Sequence, residues 1–172
     1  ALPISKVGIF YGSSTGNTEM IAEKLFEIFG SENADLHNVD SASASDLENY
    51  KNIILGTSTW GIGDMQDDME DFLELLENTN LKTKKIALFG LGDQETYPDS
   101  FVDGIGSLYH HLKNKTTFVG FWPNKGYHFT DSDAIEEGHF VGLVIDQDNQ
   151  ADKTSERLKE WVAKLKKEFD LK

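Results

Sequence analysis

Short apolar runs alternate along this chain with segments of helical period, and that alternation leaves few folds open. Residues 7–11, 53–56, 86–91, 118–121 and 140–145 read as strands, with 34–39 a weaker one. Ile21, Leu25, Ile28 and Phe29 recur at helical spacing, as do Met65, Met69, Phe72, Leu73 and Leu76. Phe101, Ile105, Leu108 and Leu112 form a third set. Leu158, Val162, Leu165 and Phe169 form the last, with Thr154 as its expected cap. Strand–helix alternation implies a parallel sheet with helices on both faces. The runs at 7–11, 53–56 and 86–91 lack polar alternation, as strands buried on both sides do. The expected architecture is a single doubly wound α/β domain over residues 1–172, with 41–45 as a loop. Such sheets bind ligands beyond the C-terminal ends of their strands, so function should lie in the loops that follow them.

Charge and composition narrow the function. The 172 residues hold 16 Lys and Arg against 30 Asp and Glu, a net charge of −14. Nucleic acid and anionic membrane surfaces both need cations to meet phosphate, so neither is expected as a partner. No apolar run approaches the roughly 20 residues of a membrane span, and the first residues do not read as a signal peptide. With no cysteine, the chain has no disulfide, no thiolate zinc site and no cysteine-ligated cluster. The five histidines show no metal-binding spacing and are expected to be solvated or locally bonded. Residues 1–80 carry fifteen acids and three bases, so one half of the chain holds nearly all of the imbalance.

Three loops stand out. After the first strand, Gly12-Ser13-Ser14-Thr15-Gly16-Asn17-Thr18 runs straight into a helix. Backbone N–H groups, hydroxyls and the positive helix end converge there, which suits a phosphate. An ordinary helix cap with a flexible turn would use the same residues. The segment lacks the Lys of a Walker A loop and the G-x-G-x-x-G of a dinucleotide fold. Without a cation, phosphate alone would bind weakly, so a ligand with a flat aromatic part is expected. After the third strand come Thr59, Trp60, Gly61, Ile62, Gly63 and Asp64. After the fourth come Gly92, Asp93 and, further on, Tyr97. Each loop offers one large aromatic among small polar residues, and two such rings could sandwich a planar ligand or pack on the protein itself.

These segments resemble the flavodoxin family. Ser13 to Thr18 is similar to its phosphate loop, Thr59 to Asp64 to its first flavin loop, and Gly90-Leu91-Gly92-Asp93-Gln94 with Tyr97 to its second. Phe140-Val141-Gly142-Leu143 and Asp146-Gln147-Asp148-Asn149-Gln150 resemble the long-chain group. The resemblance spans essentially the whole chain. It implies a five-stranded parallel sheet of order 2-1-3-4-5, a family property, with an insertion over 122–138 splitting the fifth strand. It implies non-covalent FMN passing through oxidised, semiquinone and hydroquinone forms as a low-potential one-electron carrier. Residues 13–18 would hold the phosphate, and Trp60 and Tyr97 would flank the ring. Asp93 and its loop would meet the pyrimidine edge, and Asp148 would lie near the ribityl chain. The peptide after Trp60 would turn on reduction, a movement that Gly61 eases because glycine tolerates positive φ. Partners would be basic redox proteins such as a ferredoxin/flavodoxin–NADP reductase, met by a cytoplasmic monomer.

Asp64, Asp67, Asp68, Glu70, Asp71, Glu74 and Glu77 form a run with no basic neighbour. Acids favour a helix N-terminus and a solvated face, which accounts for part of it. The sharper reading is a docking face for basic partners. Carboxylates near a reduced, anionic flavin would also lower its potential. Two like charges about 12 Å apart at an effective dielectric of 20 repel by roughly 1.4 kcal/mol, about 60 mV for one electron. The alternatives are a flavin-dependent NAD(P)H:quinone reductase of related fold and a phosphate-receiver domain. For the first no nicotinamide site is visible. The second would need acids where this chain has hydroxyls after the first strand.

Overall fold

A computed structural model of the chain describes residues 6–14, 16–60 and 64–171, without the side chain of Trp60. In chain order its first half runs β1 (Val7–Tyr11), α1 (Asn17–Phe29), β2 (Ala34–Asn38), α2 (Ala44–Glu48), β3 (Asn52–Trp60), β4 (Asp64–Met65) and α3 (Asp67–Glu77). Its second half runs β5 (Lys85–Leu91), α4 (Asp103–Leu112), β6 (Thr117–Val119), β7 (Trp122–Pro123), β8 (Ile135–Glu136), β9 (His139–Phe140), β10 (Leu143–Ile145) and α5 (Ala151–Glu168).

The main sheet is parallel, in the order β10-β5-β3-β1-β2, with β6 also on β5. This is the expected five-strand order, the fifth strand being present as β6 and β10. Its register places Ile9 beside Leu36 and Ile54, and Leu55 beside Leu88. Val7, Ile9, Phe10, Ile53, Ile54, Leu55 and residues 86–89 are all fully buried, which explains their unbroken apolar sequence. Helices α1 and α5 pack together, as do α3 and α4, and each pair covers part of the sheet. Phe89 and Trp161 meet edge to face, with ring centroids 6.4 Å apart.

Three expectations need correction. Residues 140–145 are two strands rather than one. Phe140 belongs to a small antiparallel sheet with β7 and β8, and Leu143–Ile145 returns to β5. The chain changes sheet at Gly142, which lies so close to β5 that a Cβ would stand 2.2 Å from the Leu88 carbonyl oxygen. Thr154 does not cap the last helix, which already begins at Ala151. Its hydroxyl donates to Gln147 Oε1 at 2.6 Å and ties the helix to the loop after β10. Residues 41–45 are partly helical, ending a 3-10 turn and starting α2, where the Asp46 carboxylate accepts from the Ser43 N–H at 2.8 Å.

Candidate functional site

Because β1, β3, β5 and β10 are parallel neighbours, the loops that follow them come together at one edge of the sheet. At the end of β1 the Gly12 N–H donates to the Gly56 carbonyl at 3.0 Å, which fixes the start of the first loop. Ser13 Oγ accepts from the Gly16 N–H at 3.0 Å, and Gly16 has φ 94°, a left-handed conformation that suits glycine. Helix α1 starts at Asn17, and Thr18 is buried. Among the described residues, the N–H groups of Ser13, Ser14, Asn17 and Thr18 have no protein acceptor. Free donors at a positive helix end are what an anion requires. Thr15 lies outside the described residues.

Sequence reasoning missed Gln66. This side chain is fully buried. Its Oε1 accepts from the Met69 N–H at 3.0 Å, capping α3, while its Nε2 donates to Ser14 Oγ at 3.0 Å. One amide therefore couples the first loop to the acidic helix. Tyr11 Oη donates to Glu19 at 2.6 Å. Burial, together with that carboxylate, pushes the Tyr11 phenol up to about 12.

At the end of β3, Thr59 Oγ1 accepts from the Gly104 N–H at 2.8 Å, so this hydroxyl braces the start of α4. Trp60 pairs through its backbone with Asp64. The expectations for the Trp60 side chain and for Gly61, Ile62 and Gly63 fall outside the described residues.

In the loop after β5, the Gly92 N–H donates to the Ile145 carbonyl at 3.1 Å. Asp93 Oδ1 accepts from the N–H groups of Glu95 (3.2 Å) and Thr96 (3.0 Å) and from Asn149 Nδ2 (2.8 Å). Burial works to raise the Asp93 carboxyl, but the bonds from Thr96, Asn149 and Glu95 outweigh it and hold the group below its usual range. Asp93 thus shapes the turn that presents Tyr97. Tyr97 is 42% exposed, the one large exposed apolar side chain among the described residues, and it stacks on no described ring. Asp148 is exposed in the loop after β10, where partial burial and the charges of Asp93 and Asp146 push its carboxyl up.

Of the acidic run, Asp64, Asp67, Glu70, Asp71, Glu74 and Glu77 are exposed and Asp68 is half-buried. The ion pairs among the described residues are Lys6–Asp35 (3.2 Å) and Lys85–Asp170 (3.0 Å), so no acid of the run is paired there.

The family model for flavodoxin matches residues 9–161. This chain belongs to the flavodoxin family. It is 44% identical to a Nostoc flavodoxin over 167 residues, covering 96% of this chain and 98% of that one. A Helicobacter pylori flavodoxin is 46% identical over 166 residues, again covering 96% and 99%. The crystal structure of Fusobacterium nucleatum flavodoxin bound to flavin mononucleotide superposes with a TM-score of 0.90 at 33% identity, over 95% of this chain and 98% of that one.

Proposed function

We propose that this flavodoxin holds FMN without a covalent bond and carries single electrons between redox proteins. The observation that carries the reading is one sheet edge bearing both a cation-free loop of free N–H donors at the start of α1 and an exposed aromatic, Tyr97. These fit the two ends of FMN, a phosphate and a flat ring. Ser13, Ser14, Thr15, Gly16, Asn17 and Thr18 hold the phosphate. Trp60 and Tyr97 flank the ring, with Thr59, Gly61, Ile62, Gly63, Gly92, Asp93 and Asp148 completing its surroundings. FMN supplies the one-electron chemistry, and the chain supplies position, exclusion of water and a negative field. The relatives match over nearly their whole length and are flavodoxins, which are carriers, so a quinone reductase is not favoured.

The acidic face supports basic partners, such as a ferredoxin/flavodoxin–NADP reductase, and a cytoplasmic site of action belongs to the same proposal. Among the described residues no helix is long and apolar enough to cross a membrane. Beside α3 lies a groove of about 240 Å³. Phe72, Leu75, Val39 and Ala42 line it together with Asp40, Asp68 and Asp71. Such a groove suits the aliphatic stem and charged head of a partner's Lys or Arg.

The test is titration of the apoprotein with FMN, followed by anaerobic stepwise reduction watched by absorbance. Saturable one-to-one binding and two resolved one-electron stages are expected. Absence of binding, or direct two-electron bleaching, would count against the proposal.

A further inference from the structure

We infer that the buried carboxylate of Asp146 is a positioning residue for the ring end of the cofactor site, acting through Gln94 and Asn149. The inference rests on the reading that residues 92–97 face a flavin ring. Asp146 directly follows β10 and is fully buried. Among the described residues no Lys or Arg bonds to it. Its Oδ2 accepts from the Gln94 N–H (3.1 Å), Gln94 Nε2 (2.7 Å) and Asn149 Nδ2 (2.9 Å). Its Oδ1 accepts from the Asn149 N–H (3.0 Å) and Nδ2 (3.1 Å). Every one of these donors is a neutral amide.

The network reaches further. Gln94 is 3% exposed, and its Oε1 accepts from the His128 N–H in the insertion. Asn149 Nδ2 also donates to Asp93 Oδ1 at 2.8 Å. One carboxylate therefore joins three segments: the loop after β5, the loop after β10 and the insertion. A charge out of water persists only where it is fully bonded, so each donor is held in place by the others. The direction is fixed as well. A carboxylate only accepts, and all its partners donate; an amide at this position would set N–H against N–H.

This explains a feature that Tyr97 itself does not. Its ring is exposed and stacks on no described ring. Asp146 holds the Gln94 backbone N–H, Asp93 beside it caps the turn over 93–96, and Tyr97 follows. The ring platform is therefore set from inside the protein, by a residue far from it in sequence.

Riboflavin has the ring of FMN without its phosphate, so the two ligands separate the ends of the site. Dissociation constants of both would be measured with the full chain and with Asp146→Asn, Asn149→Ala and Ser14→Ala. Asp146→Asn is expected to weaken both ligands by a similar factor, roughly 30-fold, the scale of a broken charged hydrogen-bond network. It should also change the visible circular dichroism of the bound flavin. Asn149→Ala, which removes a half-buried side chain and leaves Asp146 its bonds from Gln94 and from the Asn149 N–H, tests the same network if Asp146→Asn fails to fold. It should weaken both ligands about 5-fold, while the apoprotein still unfolds in urea as one cooperative transition with a lowered midpoint. Ser14→Ala should weaken FMN and leave riboflavin as it was. Folded Asn149→Ala or Asp146→Asn chains that bind riboflavin like the parent would overturn the inference. So would a loss confined to FMN. Failure of the unaltered chain to bind either flavin would overturn the underlying reading and this inference with it.

Discussion

Gly12 illustrates how little room the site leaves at single residues. A Cβ there would stand 2.2 Å from Gln66 Oε1 and 3.1 Å from the backbone N of Met69. Gly12→Ala should displace Gln66 and cost about 2–4 kcal/mol, from overpacking and a lost cap together, read by urea unfolding of the apoprotein. Asp103, at the start of α4, gives a pH signature. Burial pushes its carboxyl up to about 6, and the carboxylates of Asp133 and Asp131 add to this, while the Asp133 N–H at 2.7 Å opposes it. The folded chain holds this proton more tightly than the unfolded one. The contribution to stability is therefore present below about pH 4 and is lost as pH rises through 6. Asp103→Asn should match the parent at pH 4 and exceed it at pH 7.5, by about 1 kcal/mol because solvent screens the group. Equal stability gaps at both pH values would refute this. Tyr97 stood out in the sequence as a lone aromatic in a small polar loop, and the structure leaves it exposed. Gln66 did not stand out, and Gln94 and Asp146 stood only within motifs and without a role, because Ser14 lies 52 positions from Gln66 and Asp146 lies 52 from Gln94.

Among the elements, α3 divides its residues between two faces. Met69, Phe72, Leu73 and Leu76 are buried, while its acids lie outward. Its cap, Gln66, reaches Ser14 in the loop before α1. Gln66→Ala should lower stability by about 1 kcal/mol and raise the FMN dissociation constant about 10-fold, or 1.4 kcal/mol. Glu74→Ala on the outer face should change stability by no more than about 0.5 kcal/mol. Calorimetric titration with parallel unfolding curves would check both. The buried strands were legible because burial on two faces leaves an unbroken apolar run. The fifth strand was legible only in part. The resemblance implied the insertion that splits it, but the change of sheet at Gly142, close against Leu88, is a contact between separate strands that no local pattern records.

For the whole molecule the decisive quantity is charge. The net −14 is concentrated in residues 1–80, and the structure sets much of it on the outer face of α3. Electron transfer to a basic reductase should slow several-fold between 0.05 and 0.5 M salt, as the Debye length falls from more than 10 Å toward about 4 Å. Stopped-flow rates over that range would show it, and a flat response would remove the docking face from the account.

The sequence by itself determined the alternating α/β layout, the order of the loops and the types of residue in each. Those are local properties, written in periodicity and in short runs of small, hydroxylated or aromatic residues. Only the tertiary structure decided which polar side chains hold the loops in place. A buried amide or carboxylate is tolerated where distant donors and acceptors converge on it. That convergence is a product of the parallel sheet, which brings the ends of β1, β3, β5 and β10 to one edge.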